Sequence, residues 1–300
     1  MQKIKLNKEL EISKFVLGMW RLLDWNKTDQ ELLSFIQESI ENDVTTFDQA
    51  DIYGNHECEA AFGNVIKNNS ALRDQMQIFT KCGIKLNTDK FPDRKIKYYD
   101  YSASYIISQV EQSLKNLQTD YIDVLLLHRP SPFFNPEEVA MALDQLKSSG
   151  KVNHFGVSNF LPLQLESLQA YVEEPLVTNQ IEISPYSLEH FENQNLDYLI
   201  GKKIKPMAWS PLAGGELLDP QTEKGKRVLQ AIKRVAQEIE ETQLDKVIYQ
   251  WLLMHPSGII PVLGTGKIAR LKTAVSSIDS KMSLEQWFQI YVASLGKDLP

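Results

Sequence analysis

Ile122-Asp123-Val124-Leu125-Leu126-Leu127 is an almost unbroken apolar run, and it stops on His128. A strand with one solvated face alternates apolar and polar residues, so a run like this reads as a parallel strand buried on both faces. The same figure, an apolar strand that ends in a reactive side chain, recurs on either side of it. Upstream, Gln77-Ile78-Phe79-Thr80 leads to Lys81, and Val44-Thr45-Thr46-Phe47 leads to Asp48-Gln49-Ala50-Asp51-Ile52-Tyr53-Gly54. Downstream, Val152 to Val157 leads to Ser158-Asn159-Phe160. A carboxylate, a phenol, an ammonium and an imidazole therefore fall at the ends of consecutive predicted strands, where a β/α barrel keeps its active site.

Helical patterns lie between the strands. Thr28 is an N-cap with Glu31 at the capping-box position, opening a helix over Asp29 to Asn42 whose apolar stripe is Leu32, Leu33, Ile36 and Ile40. Further helices are read over Glu57 to Lys67, Ser102 to Leu117, Pro136 to Ser149, Leu163 to Tyr171 and Asn193 to Ile200. Others follow over Lys224 to Glu240, Leu244 to Met254, Lys267 to Ile278 and Leu284 to Ser294. Phe15 to Gly18 supplies a first barrel strand, and Val177 to Ile181, Ile204 to Trp209 and Ile259 to Val262 the last three; Lys3 to Leu6 and Leu10 to Ser13 form a hairpin before them. Eight strands alternating with helices predict an α/β fold, a (β/α)8 TIM barrel with an N-terminal β-hairpin and an extra C-terminal helix, as a single domain over residues 1–300. A doubly wound open sheet would place a glycine-rich fingerprint after its first strand, and Gly18-Met19-Trp20-Arg21 has one glycine. Gly83 to Tyr101 is the longest connection, either functional or a solvated excursion.

Composition narrows the function classes. The chain is 43% hydrophobic and 24% charged, as in ordinary globular domains. A net charge of −7 argues against a nucleic-acid partner. No stretch reaches the ~18 apolar residues that a membrane span needs, and the first residues lack the apolar core of a secretory signal. Two cysteines, Cys58 and Cys82, without a CxxC pair suggest neither a disulfide framework nor a zinc site, and a cytoplasmic location is expected. His56 and Cys58 are two apart and would point to different helix faces, so no metal site is expected. Oligomeric state is not indicated.

These patches resemble the aldo/keto reductase family, over nearly the whole chain. Asp48 with Tyr53 five residues on, Lys81, His128 and Gly156-Val157-Ser158-Asn159-Phe160 carry the likeness, with Asn179-Gln180 and Trp209-Ser210-Pro211-Leu212 following in order. The resemblance implies reduction of small aldehydes or ketones, with Tyr53 as proton donor, Lys81 lowering its pKa, Asp48 holding Lys81, and His128 orienting the carbonyl oxygen. An ammonium favours a neighbouring phenolate, which is the physical basis of that expectation. His128 is followed by Arg129-Pro130, where many relatives carry an aromatic before the proline.

The resemblance also implies an NADP(H) cofactor bound without a Rossmann fold. Gly18, Met19 and Trp20 would line it; Ser158, Asn159 and Gln180 would hold the carboxamide, and Trp209 would stack on the nicotinamide. Ser210, Pro211, Leu212, Gly214 and Gly215 would follow the pyrophosphate. Gly264, Thr265, Gly266, Lys267 and Arg270 would meet the adenosine 2′-phosphate, although relatives often have lysine at Gly264 and asparagine at Ala274. The same segment also reads as a turn capping the last barrel helix. A cofactor-sensing binding subunit and a Schiff-base aldolase using Lys81 are the competing functions. Asp48 weighs against the aldolase, because a salt bridge keeps a lysine protonated.

Overall fold

A computed structural model describes residues 3–67, 69–279 and 282–300; Met1 and Gln2, the first two residues of the stretch compared with a secretory signal, lie outside them. Strands β1 (Lys3–Lys5) and β2 (Glu11–Ser13) pair antiparallel as the expected hairpin. Then come β3 (Val16–Gly18), α1 (Asp29–Glu41), β4 (Thr46–Asp48), α2 (Cys58–Ile66), α3 (Ser70–Arg73) and β5 (Gln77–Cys82). The long connection folds on itself as β6 (Ile84–Lys85) and β7 (Tyr98–Tyr99). It is followed by α4 (Ala103–Leu117), β8 (Ile122–Leu127), α5 (Pro136–Ser148), β9 (Val152–Ser158) and α6 (Pro162–Gln169). The remainder is β10 (Asn179–Glu182), α7 (Glu189–Glu192), α8 (Asn195–Lys202), β11 (Met207–Trp209), α9 (Glu223–Glu238), α10 (Leu244–Met254), β12 (Ile260–Leu263), α11 (Ile268–Val275) and α12 (Leu284–Leu295).

Eight parallel strands close into a barrel in the order β3-β4-β5-β8-β9-β10-β11-β12. This is the (β/α)8 architecture, with α12 as the additional C-terminal helix. By contact density the chain forms two compact units, Met1–Asn179 with Gly264–Gly266, and Gln180–Leu263 with Lys267–Pro300.

In the first unit, β8 has every residue but Asp123 buried, as a strand covered on both faces requires. Asp123 is tolerated because Arg73 donates to it at 2.7 Å and the Ile78 amide at 2.8 Å. Helix α1 starts where expected, with the Thr28 hydroxyl accepting from the Glu31 amide and Glu31 accepting from the Thr28 amide. Pro136 opens α5 behind an Asn135 cap.

In the second unit, β11 is three residues long where six were expected. Pro206 has no N–H to donate to the ladder, and the strand begins after it. The run read as one helix to Ile278 ends at Val275 and continues as a 3-10 turn, Ser276–Ile278. Helix α12 is fastened by two tryptophans. Trp251 and Trp287 stack with centroids 4.8 Å apart, and each indole N–H donates to the other's carbonyl. Among the described residues no helix is long and apolar enough to cross a membrane.

Candidate functional site

The first unit builds its site on the ends of β4, β5, β8 and β9. Parallel register sets Asp48 opposite Phe79 and Lys81 opposite Leu126. Beyond β4 the chain stays tied to β5, because the Gln49 amide donates to the Phe79 carbonyl and the Asp51 amide to the Lys81 carbonyl. The turn that follows closes with the Tyr53 amide on the Ala50 carbonyl and returns Tyr53 towards Lys81.

Lys81 is the centre of the arrangement. Its ammonium is 1% exposed and donates to both Asp48 carboxylate oxygens at 2.7 Å, to the Gln49 carbonyl at 2.9 Å and to the Tyr53 hydroxyl at 3.0 Å. Burial alone would pull its pKa down; the Asp48 charge, Tyr53 and the bonds to both outweigh burial and hold Lys81 above its usual value. A buried ammonium without such partners would shed its proton. The Tyr53 ring lies edge-on to His128, with centroids 6.0 Å apart. Asp48, Tyr53, Lys81 and His128 are thus brought together as expected.

Lys81 lowers the Tyr53 phenol as the resemblance implies, but it is not the largest influence there. Burial raises the phenol above its usual value, and the favourable charge and bond of Lys81 only offset part of that, with Asp48 acting the other way. Tyr53 is therefore a firmly protonated acid. His128 moves well below its usual value through burial first, then through Lys81, Arg129 and Lys97, and stays neutral near pH 7. Cys82 is buried, and desolvation raises its thiol well above its ordinary value, which disfavours the reactive thiolate.

Three groups around this site were not foreseen. Asp51 is 4% exposed, and no side chain among the described residues hydrogen-bonds its carboxyl. Burial and the Glu59 charge push it well above the usual carboxylate range. Glu59, 1% exposed, accepts from Thr80 at 2.6 Å and Asn116 at 3.3 Å. Tyr101 bonds the main chain beside His128. An acidic residue before Ile-Tyr-Gly and a glutamate early in a helix look exposed in sequence, so nothing there could have marked them.

Ser158 ends β9 and is 1% exposed; Asn159 follows with φ 63° and donates to Ser158 at 2.8 Å and to the His128 carbonyl at 3.4 Å. Gly18 ends β3, and Met19 is buried while Trp20 is 62% exposed. Gly266 has another explanation than phosphate approach: a Cβ there would stand 2.5 Å from the Trp25 ring, so the glycine makes room for that indole. Among the described residues, its two chain neighbours aside, none comes within 4 Å of where a Gly264 Cβ would stand.

In the second unit Gln180 is buried in β10 and Trp209 ends β11. Beyond β11, Ser210, Ala213, Gly214 and Gly215 all have positive φ, and Cβ atoms built on the two glycines would meet nothing within 4 Å. Pro211 and Leu212 lie within this run. The run closes on itself as a tight turn, the Ala213 amide donating to the Ser210 carbonyl at 2.8 Å and the Gly215 amide to the Leu212 carbonyl at 3.0 Å. Lys267, the N-cap residue of α11, and Arg270 in its first turn are exposed. Their exposed positive charge suits a phosphate group.

Comparison with known proteins bears on the family and the fold. Residues 14–293 match the model of the aldo/keto reductase family. The chain is 47% identical, over the full length of both, to the uncharacterized oxidoreductase YcsN of Bacillus subtilis (strain 168). It is 40% identical, again over the full length of both, to a 6-dehydroglucose reductase of Agrobacterium fabrum (strain C58 / ATCC 33970). A crystal structure of a thermostable aldo-keto reductase with the inhibitor epalrestat covers 98% of this chain and 100% of its own, with a TM-score of 0.80 and 23% identity, a likeness of fold.

Proposed function

The chain belongs to the aldo/keto reductase family, and on that footing we propose that it reduces aldehydes or ketones to alcohols with NADPH. The observation that carries the reading is the Lys81 ammonium, bonded at once to both oxygens of Asp48 and to the Tyr53 hydroxyl. NADPH, when bound, supplies the hydride to the carbonyl carbon. The family resemblance assigns to that cofactor Ser158 and Asn159 in the first unit and, in the second, Gln180, Trp209, the Ser210–Gly215 run, Lys267 and Arg270.

The chain's own residues manage the proton. Tyr53, kept protonated by burial, donates to the carbonyl oxygen as negative charge grows there. Lys81 stabilises the phenolate left behind, and Asp48 keeps Lys81 charged and in place. Neutral His128 donates a hydrogen bond to the same oxygen and fixes the carbonyl's orientation. The Agrobacterium fabrum relative's name points to a hydroxylated, sugar-type aldehyde as the substrate class. A cytoplasmic location and action without a nucleic-acid or membrane partner complete the reading.

Fluorescence titration with NADPH and NADH, followed by rates on glyceraldehyde and butyraldehyde, tests it. Preferential NADPH binding, and reduction that falls by orders of magnitude in Tyr53→Phe with NADPH affinity kept, is expected. NADPH binding without turnover on any carbonyl would favour a cofactor-sensing subunit, and absence of binding would sink both readings.

A further inference from the structure

His128 has an unusual support. Its Nδ1 is buried and has no hydrogen-bond partner among the described residues, whereas functional imidazoles are generally aimed by a bond to the nitrogen that does not react. The main chain around it, by contrast, is held at every polar group. The His128 amide donates to the Cys82 carbonyl at 3.0 Å, and its carbonyl accepts from Asn159 at 3.4 Å. Both main-chain groups of the next residue are taken by a single hydroxyl: Tyr101 donates to the Arg129 carbonyl at 2.5 Å and accepts from the Arg129 amide at 3.0 Å.

Tyr101 is itself firmly placed. It is 5% exposed and packs edge-on to Phe134, which packs edge-on to Phe160. Its ring lies over Gly83, where a Cβ would come within 2.2 Å of the ring and where φ is +116°, a conformation that glycine adopts without strain. Gly83 and Tyr101 are the two ends of the long connection. That connection is closed by the β6–β7 pairing, by the Asp100 amide on the Gly83 carbonyl, and by the Lys85–Asp100 ion pair at 2.7 Å. The connection therefore delivers one hydroxyl, from 28 residues away, to the peptide that carries His128.

We propose that Tyr101 is a positioning residue for carbonyl reduction: by clamping the Arg129 peptide it sets where the otherwise unfastened His128 imidazole meets the substrate oxygen. The proposal rests on the reductase reading above. Tyr101→Phe keeps the ring, its contact with Phe134 and its seat over Gly83, and removes only the clamp. Small misplacements of an orienting group are costly in rate.

The test is a double-mutant cycle on glyceraldehyde reduction with Tyr101→Phe, His128→Ala and the double variant, alongside NADPH affinity and the NMR signals of the His128 ring. Tyr101→Phe is expected to lower kcat/KM by about tenfold, chiefly through kcat. It should shift the His128 ring signals while those of His154 and the NADPH affinity stay unchanged, and it should cost nothing further once His128 is alanine. Wild-type kinetics with an unmoved ring signal would overturn the proposal, as would an equal loss in the presence and absence of His128. An unmutated protein that reduces no carbonyl would remove the reductase reading instead, and the His128 ring signal would still decide whether Tyr101 places the imidazole.

Discussion

Replacing Asp48 by asparagine is the sharpest test of the buried pair. The change keeps the shape and removes the charge opposite a lysine that is 1% exposed. Lys81 would retain the Gln49 carbonyl and the Tyr53 hydroxyl, neither of which is negative near pH 7. Removing one partner of a buried ion pair costs about 3–5 kcal/mol, because the other charge is left uncompensated. With an unfolding entropy near 2.1 cal/mol/K per residue and 300 residues, that is a fall in Tm of roughly 5–8 °C.

The pH dependence makes the prediction specific. In the unmutated protein Lys81 is raised above its ordinary 10.5, so its contribution is fully present below that value and lost only as pH rises through the folded pKa. In Asp48→Asn burial, the largest influence on Lys81, is opposed only by Tyr53 and the Gln49 carbonyl, and the folded pKa falls below 10.5. Stability is then highest above that value and drops as pH falls, by up to ~1.4 kcal/mol per unit until Lys81 is protonated in the fold. Denaturant unfolding at about pH 7 and pH 9.5 should therefore show a deficit that shrinks on the alkaline side, and Asp48→Asn/Lys81→Met should recover much of it. A deficit of equal size at both pH values, or none, would refute the reasoning.

Because Tyr53 is raised above its ordinary 10.0 and His128 lowered below 6.5, kcat/KM for reduction should stay level from about pH 6.5 to 9.5 and fall only as pH rises through the Tyr53 pKa; a bell centred near neutrality in initial-rate assays would contradict both directions. Asp51 binds its proton more tightly folded than unfolded, so it favours the fold below about pH 4 and costs stability as pH rises towards its folded pKa. Asp51→Asn should accordingly gain on the unmutated protein between urea unfolding at pH 5 and at pH 8, and an unchanged difference would mean that the carboxyl finds compensation. Arg270→Ala should weaken NADPH by about 10- to 100-fold, the worth of a charge-assisted phosphate bond, and leave NADH alone in fluorescence titration; equal effects on both would remove its 2′-phosphate role.

What the sequence made legible were features with a local signature. The Ile122–Leu127 run, the Thr28–Glu31 capping box and Pro136 each act within a few residues, and all appear as read. Asp48, Tyr53 and Lys81 were nominated because they stand at strand ends, and strand ends converge once a parallel barrel closes. The unforeseen features depend on distant partners. Ile84-Lys85 and Tyr98-Tyr99 are too short to show alternation, so their pairing was invisible. Gly266 answers to Trp25, and Tyr101 to Arg129, across separations that no periodicity records.

The net upward direction at Tyr53 has the same origin. A lysine beside a phenol predicts a lowered pKa when both are imagined in water, where charge is the only difference that Lys81 makes. Inside the barrel the phenolate must also be desolvated, and Asp48, which keeps Lys81 ionised, repels it. Lys81 and Asp48 together present Tyr53 with a nearly neutral neighbour that still holds a hydrogen bond at 3.0 Å. Such a site keeps the proton on the phenol until a carbonyl oxygen gathers negative charge beside it, which suits reduction near neutral pH. Alcohol oxidation needs the phenolate at the outset, so its kcat/KM should climb as pH rises towards the Tyr53 pKa while the reductive kcat/KM declines there. Profiles that rose or fell together would show that another group carries the proton.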